Sequence, residues 1–295
     1  MSRKSRADNA MSYEADMSNR VDLSIVLPCY RGAQIARRSV DVLTDYLPRT
    51  GLSWEVIVVD DGGGDFDAPD WNDDASVRLL CLPRNRGKGA AVRAGMLAAR
   101  GRARIFTDVD LPYDLDLFPV IAEYLLSRDF HVAVGDRTLP ASSYALEVGW
   151  KRRIASGLFS TFVGTMVTGG FFDTQCGLKG FRGDIADQIF ALARVDRFAF
   201  DVELLYLALS FRTDIKRVPV RLRNNDTSSV RLVQDSSRMF ADVMRIKYHQ
   251  LSRRYRSAEL AQIVADDFDT VRSSINGRER AYPQVESSLQ RQAAE

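Results

Sequence analysis

The hydrophobic pattern in the first half of the chain alternates between short apolar runs and amphipathic segments. Apolar runs typical of buried strands lie at Leu23–Leu27, Trp54–Val59, Val77–Leu82, Ala103–Thr107 and His131–Val134. Helical spacing of apolar residues separates them, at Ile35–Leu47, Gly89–Ala99 and Leu115–Leu126. Because strands and helices alternate, this half predicts an α/β fold, with a mostly parallel sheet that is flanked by helices.

The pattern changes after Gly135. It predicts a long helix at Trp150–Val167, a short extended segment at Cys176–Phe181, a helix at Phe200–Phe211, a strand at Ile215–Leu222 and a helix at Met239–Tyr248. We expect this half to form the second wall of a cleft.

Both ends of the chain are polar. Residues 1–20 lack the apolar stretch of a signal peptide and are interpreted as a disordered leader. The main domain is predicted at 21–235, peripheral helices at 236–276 and a disordered tail at 277–295. No apolar run approaches the roughly 20 residues that cross a bilayer. We therefore expect a soluble cytoplasmic protein, and contact with the inner face of the membrane stays open.

Composition narrows the function classes. The 295 residues are 45% hydrophobic and 27% charged, which suits one large globular domain with an appendage. A net charge of +2 is too balanced for a general nucleic-acid binder, so no nucleic-acid partner is expected. The three cysteines, Cys29, Cys81 and Cys176, are far apart, and the chain has two histidines. Disulfides and a zinc site are therefore disfavoured, and a reducing compartment is favoured.

Acidic residues follow two of the predicted strands. Asp60 and Asp61 come after Val59, while Asp108 and Asp110 come after Phe106. Open α/β sheets bind ligands at the carboxyl ends of their strands, where these carboxylates should lie. Asp108 and Asp110 are two positions apart and should face the same side of an extended chain. Their oxygens suit Mg²⁺ or Mn²⁺ shared with substrate phosphates, although helix capping is a simpler explanation.

The loop after Asp60 and Asp61 is rich in glycine. Gly62, Gly63 and Gly64 would allow a ligand to approach closely, and one carboxylate could accept a hydrogen bond from a nucleotide base. The alternative is an ordinary strand-to-helix turn, in which Asp and Gly are common for conformational reasons.

A predicted helix begins near Gly87 and Lys88. The segment lacks the last small residue of a dinucleotide fingerprint, because Val92 stands there, and the chain has no phosphate-binding P-loop. A dehydrogenase or an NTPase is therefore disfavoured. Lys88 at a helix N-terminus could still meet an anionic ligand, and the alternative is a solvated lysine.

Several further polar residues could line the site. Asp173 and Gln175 belong to a polar cluster, in which Cys176 has no nearby histidine and is interpreted as a packed side chain. Asp201 and Glu203 lie in an apolar segment, which predicts either an arginine contact or a role in the site, with a structural ion pair as the alternative for both. Cations that could bind an acceptor phosphate are Arg137 and the triplet Lys151-Arg152-Arg153, for which a solvated helix start is the simpler alternative.

These segments together resemble the family 2 glycosyltransferases of the GT-A fold, particularly the dolichyl-phosphate or polyprenyl-phosphate glucosyltransferase and mannosyltransferase group. The resemblance spans about Val21–Tyr248. Its motifs are Val26-Leu-Pro-Cys-Tyr30, Val58-Val-Asp-Asp-Gly62, Asn85-Arg-Gly-Lys-Gly-Ala-Ala-Val-Arg93, Asp108-Val-Asp110, Asp173-Thr-Gln-Cys-Gly-Leu-Lys179 and Phe200-Asp-Val-Glu-Leu-Leu205. The last two are the most specific to the lipid-phosphate group. The Gln-x-x-Arg-Trp signature of processive synthases is missing, which favours transfer of a single sugar.

The resemblance implies roles for individual residues. Asp108 and Asp110 would bind the metal ion. Together with Asp173 and Arg137 they would be the catalytic residues. Residues expected to bind substrates are Pro28, Tyr30, Asp60, Asp61, Gly87, Lys88, Arg152, Arg153, Gln175 and Glu203. The donor would be a nucleotide sugar, with UDP-glucose favoured and a GDP-sugar as the other choice, and the acceptor would be a polyprenyl phosphate.

The expected reaction is inverting transfer, in which a lipid phosphate needs no strong base because its oxygen is already anionic. A sugar hydroxyl as the acceptor would need one, and Asp173 or Glu203 would be the candidates. A nucleotide-binding scaffold is the non-enzyme alternative. Membrane contact could involve the basic segment Arg238–Arg256, which could equally be a helix packed on the domain.

Overall fold

A computed structural model describes residues 20–66, 71, 75–143, 173–174, 176–197, 199–222 and 232–281, the last range without the side chains of 232–240 and 271–281. The predicted helix Trp150–Val167 lies outside these residues, as do Gln175, Arg152 and Arg153. Contacts divide the chain into two compact units, residues 1–256 and 257–295.

The described strands form one seven-stranded sheet. They are β1 (Leu23–Cys29), β2 (Trp54–Asp60), β3 (Val77–Cys81), β4 (Ala103–Phe106), β5 (Val132–Asp136), β6 (Lys179–Arg182) and β7 (Ile215–Pro219). Their order in the sheet is β3-β2-β1-β4-β6-β5-β7. β6 runs antiparallel to both of its neighbours, and the remaining pairs are parallel, so the predicted mostly parallel sheet is confirmed.

The described helices are α1 (Ala33–Tyr46), α2 (Lys88–Ala98), α3 (Leu117–Leu126), α4 (Gly183–Leu192), α5 (Phe200–Ser210), α6 (Leu232–Leu251) and α7 (Ala258–Ala281). Six of them overlap predicted helices, which confirms those predictions. Helix α4 was not predicted from the sequence. This helix starts directly after the last residue of β6, so no turn separates the two and indicates the start of a helix in the sequence.

The core lies on both faces of the sheet. All seven residues of β1 are buried, as are six of the seven in β2. A strand that is covered on both faces has a continuous apolar sequence, because neither of its sides is in contact with water. This explains why the first strands could be recognised from hydrophobicity alone. Among the described helices, none has the combined length and apolar character needed to cross a membrane.

Candidate active site

The site lies at the carboxyl edge of the central strands. Cys29 at the end of β1 is level with Asp60 at the end of β2, and β4 pairs with the other side of β1. The segments that follow these three strands therefore meet at one edge of the sheet. Among them, Pro28 is buried and Tyr30 is 45% exposed.

Asp60 and Asp61 both hold backbone loops. Asp60 accepts hydrogen bonds from the N–H groups of Gly63 (2.7 Å) and Gly64 (3.1 Å). Asp61 accepts from the N–H groups of Arg86 (2.8 Å) and Gly87 (2.7 Å). Both carboxylates are 2% exposed. Asp61 thus joins the end of β2 to the segment that begins α2. An ionised carboxylate has about four acceptor positions, so these bonds do not exhaust its capacity for a ligand.

Lys88 is the first residue of α2 and pairs with Asp108. Its Nζ donates to Asp108 Oδ1, and the two side chains are 22% and 37% exposed. Burial alone would lower the pKa of Lys88, but the negative charges of Asp108 and Asp201 outweigh this effect and raise it. A protonated lysine therefore stands beside the predicted metal ligands, where a diphosphate would need positive charge.

Asp108 and Asp110 lie just beyond β4, with Asp108 partly exposed and Asp110 exposed. Hard divalent cations take oxygen ligands and keep several positions for phosphate and water. Two accessible carboxylates fit such a cation. Within the described ranges, no group of three or more His, Cys, Asp or Glu side chains is placed to enclose a metal. A cation bound by Asp108 and Asp110 would thus take its other ligands from substrate and solvent.

A buried ion pair lies behind this site. Lys179 is fully buried, and its Nζ donates to Asp201 Oδ1 (2.5 Å) and to the Cys176 carbonyl (2.7 Å). Burial raises the pKa of Asp201, and the cations Lys179 and Lys88 oppose that rise. Of the alternatives for Asp201, the structural ion pair is confirmed, and its partner is Lys179 rather than an arginine. Lys179 was not predicted to have a role in the site. A lysine between Leu178 and Gly180 in a predicted buried segment was the signal for it.

Arg137 and Asp173 form a second pair. The Asp173 carboxylate accepts from the Arg137 backbone N–H (2.7 Å) and from the guanidinium Nη2 (2.6 Å) and Nε (3.0 Å). The Asp173 side chain is 4% exposed and that of Arg137 is 29% exposed. The structure therefore brings these two predicted residues together, with Asp173 orienting the arginine.

Glu203 contacts the protein's own backbone. Its buried carboxylate accepts from the N–H groups of Arg194 (2.9 Å) and Val195 (2.8 Å) and from the Tyr255 hydroxyl. Burial raises the pKa of Glu203, and these hydrogen bonds oppose the rise. The hydrogen-bond partners of Glu203 are backbone amides and a tyrosine rather than an arginine side chain, and its role in the site stays a prediction.

Cys176 is fully buried, and its thiol lies 3.4 Å from the Tyr113 hydroxyl. Burial raises the pKa of the thiol, which disfavours the reactive thiolate. The interpretation of Cys176 as a packed side chain is confirmed.

The chain is similar in sequence to known glycosyltransferases. The sequence profile described as "Glycosyl transferase family 2" matches residues 24–190. A dolichyl-phosphate beta-glucosyltransferase of Dictyostelium discoideum is 31% identical over 244 residues, covering 78% of this chain and 75% of that protein. The protein of the same name from Drosophila melanogaster is 32% identical over 257 residues, covering 81% and 78%.

A solved structure supports the fold. The crystal structure of mannosyl-3-phosphoglycerate synthase from Rubrobacter xylanophilus superposes with a TM-score of 0.52 at 17% identity, covering 81% of this chain and 76% of that one. The predicted GT-A fold is confirmed by this likeness and by the sheet described above. With the family profile matching more than half of the sequence, the chain belongs to glycosyl transferase family 2 and is a glycosyltransferase.

Proposed function

We propose that this enzyme transfers one glucose from UDP-glucose to a dolichyl or polyprenyl phosphate, with inversion at the anomeric carbon. The observation that carries the proposal is the Lys88–Asp108 pair with Asp110 beside it, at the ligand-binding edge of the sheet. The names of the relatives from Dictyostelium discoideum and Drosophila melanogaster support the choice of sugar and acceptor.

The donor is assigned to the residues around β1, β2 and α2. Pro28, Tyr30, Asp60, Asp61 and Gly87 hold the nucleotide in this proposal. The exposed Tyr30 ring offers a surface on which a base can stack, and the Arg31 guanidinium lies 5.2 Å from its centre. Because the described bonds of Asp60 and Asp61 fix the neighbouring loops, these residues shape the pocket in addition to any contact with the base.

The charge of the leaving diphosphate needs to be offset. Asp108 and Asp110 would hold Mg²⁺ or Mn²⁺, which supplies positive charge to the departing phosphate oxygens. A lysine side chain has a flexible stem and three N–H donors, and Lys88 stands at a helix N-terminus, where anions bind. In our proposal its ammonium group turns from Asp108 to the diphosphate when the donor binds.

The acceptor phosphate is assigned to Arg137, with Arg152, Arg153 and Gln175 as further contacts. The Arg137 side chain is 29% exposed and Asp173 fixes its orientation, an arrangement in which the guanidinium can meet an anion. A phosphate oxygen is anionic at neutral pH and attacks without a general base. A sugar hydroxyl as acceptor is less well supported, because the carboxylates of Asp173 and Glu203 are already occupied by protein donors.

The test is a transfer assay with purified protein, a short polyprenyl phosphate and either Mn²⁺ or Mg²⁺. UDP-glucose and GDP-mannose are compared as donors, and both nucleotide release and glycolipid are measured. We expect glucose transfer, and we expect Asp110→Asn to lower it by more than about 100-fold with unfolding temperature unchanged. Asp45→Asn, which neutralises an exposed carboxylate on α1, is the matched control and should retain full activity.

Three outcomes contradict the proposal. Metal-dependent activity that is unchanged in Asp110→Asn would remove the assigned role of that residue. Transfer to soluble oligosaccharide but not to polyprenyl phosphate would point to the hydroxyl-acceptor reaction. Binding of UDP without any metal-dependent turnover would indicate a nucleotide-binding scaffold.

A further inference from the structure

The loop between α4 and α5, residues 193–197, supports the start of α2. The Asp196 carboxylate accepts from Arg86 (3.0 Å) and from Arg93, and its carbonyl accepts the N–H of Ala90 (3.0 Å). The contact is close, because a Cβ added to Gly87 would lie 2.6 Å from the Asp196 carbonyl oxygen. The position of the α2 N-terminus therefore depends on this loop.

Glu203 in turn holds the 193–197 loop. Its carboxylate is fully buried and binds the two consecutive backbone N–H groups of Arg194 and Val195. Buried N–H groups that lose their acceptor cost free energy, so this loop conformation requires an acceptor at position 203. Glu203 is thereby linked to α2 through the loop, and the positive charge of Arg93 on that helix also acts to lower the pKa of Glu203.

Tyr255 completes the arrangement from a distant part of the sequence. It lies after α6, donates its hydroxyl to Glu203 Oε1, and packs against the rings of Tyr206 (5.8 Å between ring centres) and His249 (5.7 Å). The hydroxyl adds a charge-assisted hydrogen bond to the carboxylate. It also holds the carboxylate in the orientation in which it meets the two N–H groups.

We infer that Glu203 and Tyr255 are positioning residues for the donor site, acting through the 193–197 loop on Gly87 and Lys88. The inference rests on the proposed function, in which Lys88 binds the donor diphosphate. It gives Glu203 a role different from that of a general base, since both of its oxygens already accept hydrogen bonds from protein donors. Loss of either contact would move the α2 N-terminus and weaken donor binding.

The test uses the full chain and separates binding from chemistry. Tyr255→Phe removes one hydroxyl, and Glu203→Gln keeps the shape while replacing one acceptor oxygen by an N–H donor. We expect the KM for UDP-glucose to rise about fivefold in Tyr255→Phe and at least about tenfold in Glu203→Gln. The kcat at saturating donor should stay within about twofold. The Kd for UDP, measured by calorimetry, should rise in parallel.

Tyr206→Phe is the matched control. Tyr206 packs on the Tyr255 ring, so the control removes a hydroxyl in the same aromatic cluster and leaves the Tyr255–Glu203 bond in place. We expect it to keep the KM and the Kd of the wild type.

Two results would overturn the inference. One is a large fall of kcat in Glu203→Gln with unchanged affinity for UDP, which would place Glu203 in the chemistry. The other is an unchanged KM and Kd in both variants, which would leave Glu203 and Tyr255 with a structural role only. If the wild type binds UDP but transfers no glucose to polyprenyl phosphate, the proposed reaction is contradicted. The positioning role of Glu203 and Tyr255 is then still tested by the Kd values of the variants for UDP. Failure of the wild type to bind UDP contradicts both.

Discussion

A glycine restricts the position of Asp108. Gly177 lies in the segment that precedes β6, and a Cβ added to it would be 2.1 Å from Asp108 Oδ2. The atom in conflict is the end of a side chain that can rotate away, so relief of the conflict costs little stability. This rotation would, however, turn the Asp108 carboxylate out of its present orientation. The motif residue Gly177 thus acts on the geometry of the proposed metal site.

We predict that Gly177→Ala lowers glucose transfer by at least about tenfold, because a displaced ligand weakens metal-assisted catalysis. Its unfolding temperature should fall by only a few degrees. Both quantities are measured on the same preparation, and a Mn²⁺ titration of activity should show a higher half-saturating concentration.

Gly51→Ala separates this effect from a general loss of stability. Gly51 has a φ of +72°, and a Cβ there would meet no atom within 4 Å. Alanine at that position should cost about 1 kcal/mol of folding free energy through backbone strain, with normal activity. Equal activity of Gly177→Ala and the wild type would refute the predicted contact with Asp108.

At the scale of elements, Glu55 joins several of them at the end of the sheet opposite the site. Its buried carboxylate in β2 accepts from Ser24 of β1 (2.6 Å), from Arg78 of β3 (2.9 Å) and from the Arg100 N–H just after α2 (2.6 Å). Burial would raise the pKa of Glu55, but these hydrogen bonds and the two arginine charges outweigh burial and lower it. The ionised form therefore stabilises the fold.

We predict that Glu55→Gln lowers the free energy of unfolding at pH 7 by about 1–3 kcal/mol, through lost charge-assisted hydrogen bonds. A carboxyl group whose pKa is lower in the folded state stabilises the fold at pH values above its unfolded-state pKa, which is about 4.3 for glutamate. This contribution is lost as the pH falls through the folded-state pKa. The free energy of unfolding, measured with urea, should thus fall more steeply below about pH 5 for the wild type than for the variant.

The control is Glu123→Gln on α3. Glu123 is an exposed carboxylate that pairs with Arg128 at 2.7 Å on the surface, and exposed pairs contribute little. Its unfolding curves should follow those of the wild type over the same pH range. If the free energy of unfolding depends on pH in the same way in Glu55→Gln and in the wild type, Glu55 is not the group that causes the loss of stability in acid.

At the scale of the whole molecule, α6 has both a packed face and an exposed apolar face. Val243, Ile246 and His249 are buried, whereas Met244 (50%), Tyr248 (58%) and Leu251 (82%) are exposed and share one helical face. Arg254 stacks on Tyr248 at 5.5 Å, and the basic residues Arg253 and Arg256 are also exposed. The prediction that Arg238–Arg256 packs on the domain is confirmed for its buried face, and contact of the exposed face with a membrane stays a prediction.

We predict that the protein binds liposomes containing anionic lipid at low salt, because apolar and basic side chains act together at a bilayer interface. Met244→Ser combined with Leu251→Ser should weaken this binding by about tenfold or more, since both side chains would enter the acyl boundary. Cosedimentation with liposomes of different anionic content measures the effect. Val120→Ser, which changes an exposed apolar residue on α3, should bind like the wild type. No binding of the wild type at low salt would contradict the surface role of α6.

Much of the architecture was predictable from local patterns. The strands β1 and β2 could be found because both faces are covered, and the carboxylates after β2 and β4 could be placed because strand ends define the ligand-binding edge. The helix α4 was missed because it follows β6 directly. Asp201 and Glu203 were recognised as buried carboxylates that need partners, but the sequence left open whether these were an arginine, another ion pair or groups of the site.

The sequence by itself determined the alternation of strands and helices, the edge at which Asp60, Asp61, Asp108 and Asp110 lie, and the resemblance to family 2, because these depend on neighbouring residues and on ordered motifs. Only the tertiary structure decided which groups pair. Lys88 meets Asp108 across 20 residues of sequence, Lys179 meets Asp201 across 22, and Tyr255 meets Glu203 across 52. A hydrogen bond requires atoms to be within about 3 Å of each other, and for residues this far apart that distance is set by the packing of the elements that carry them.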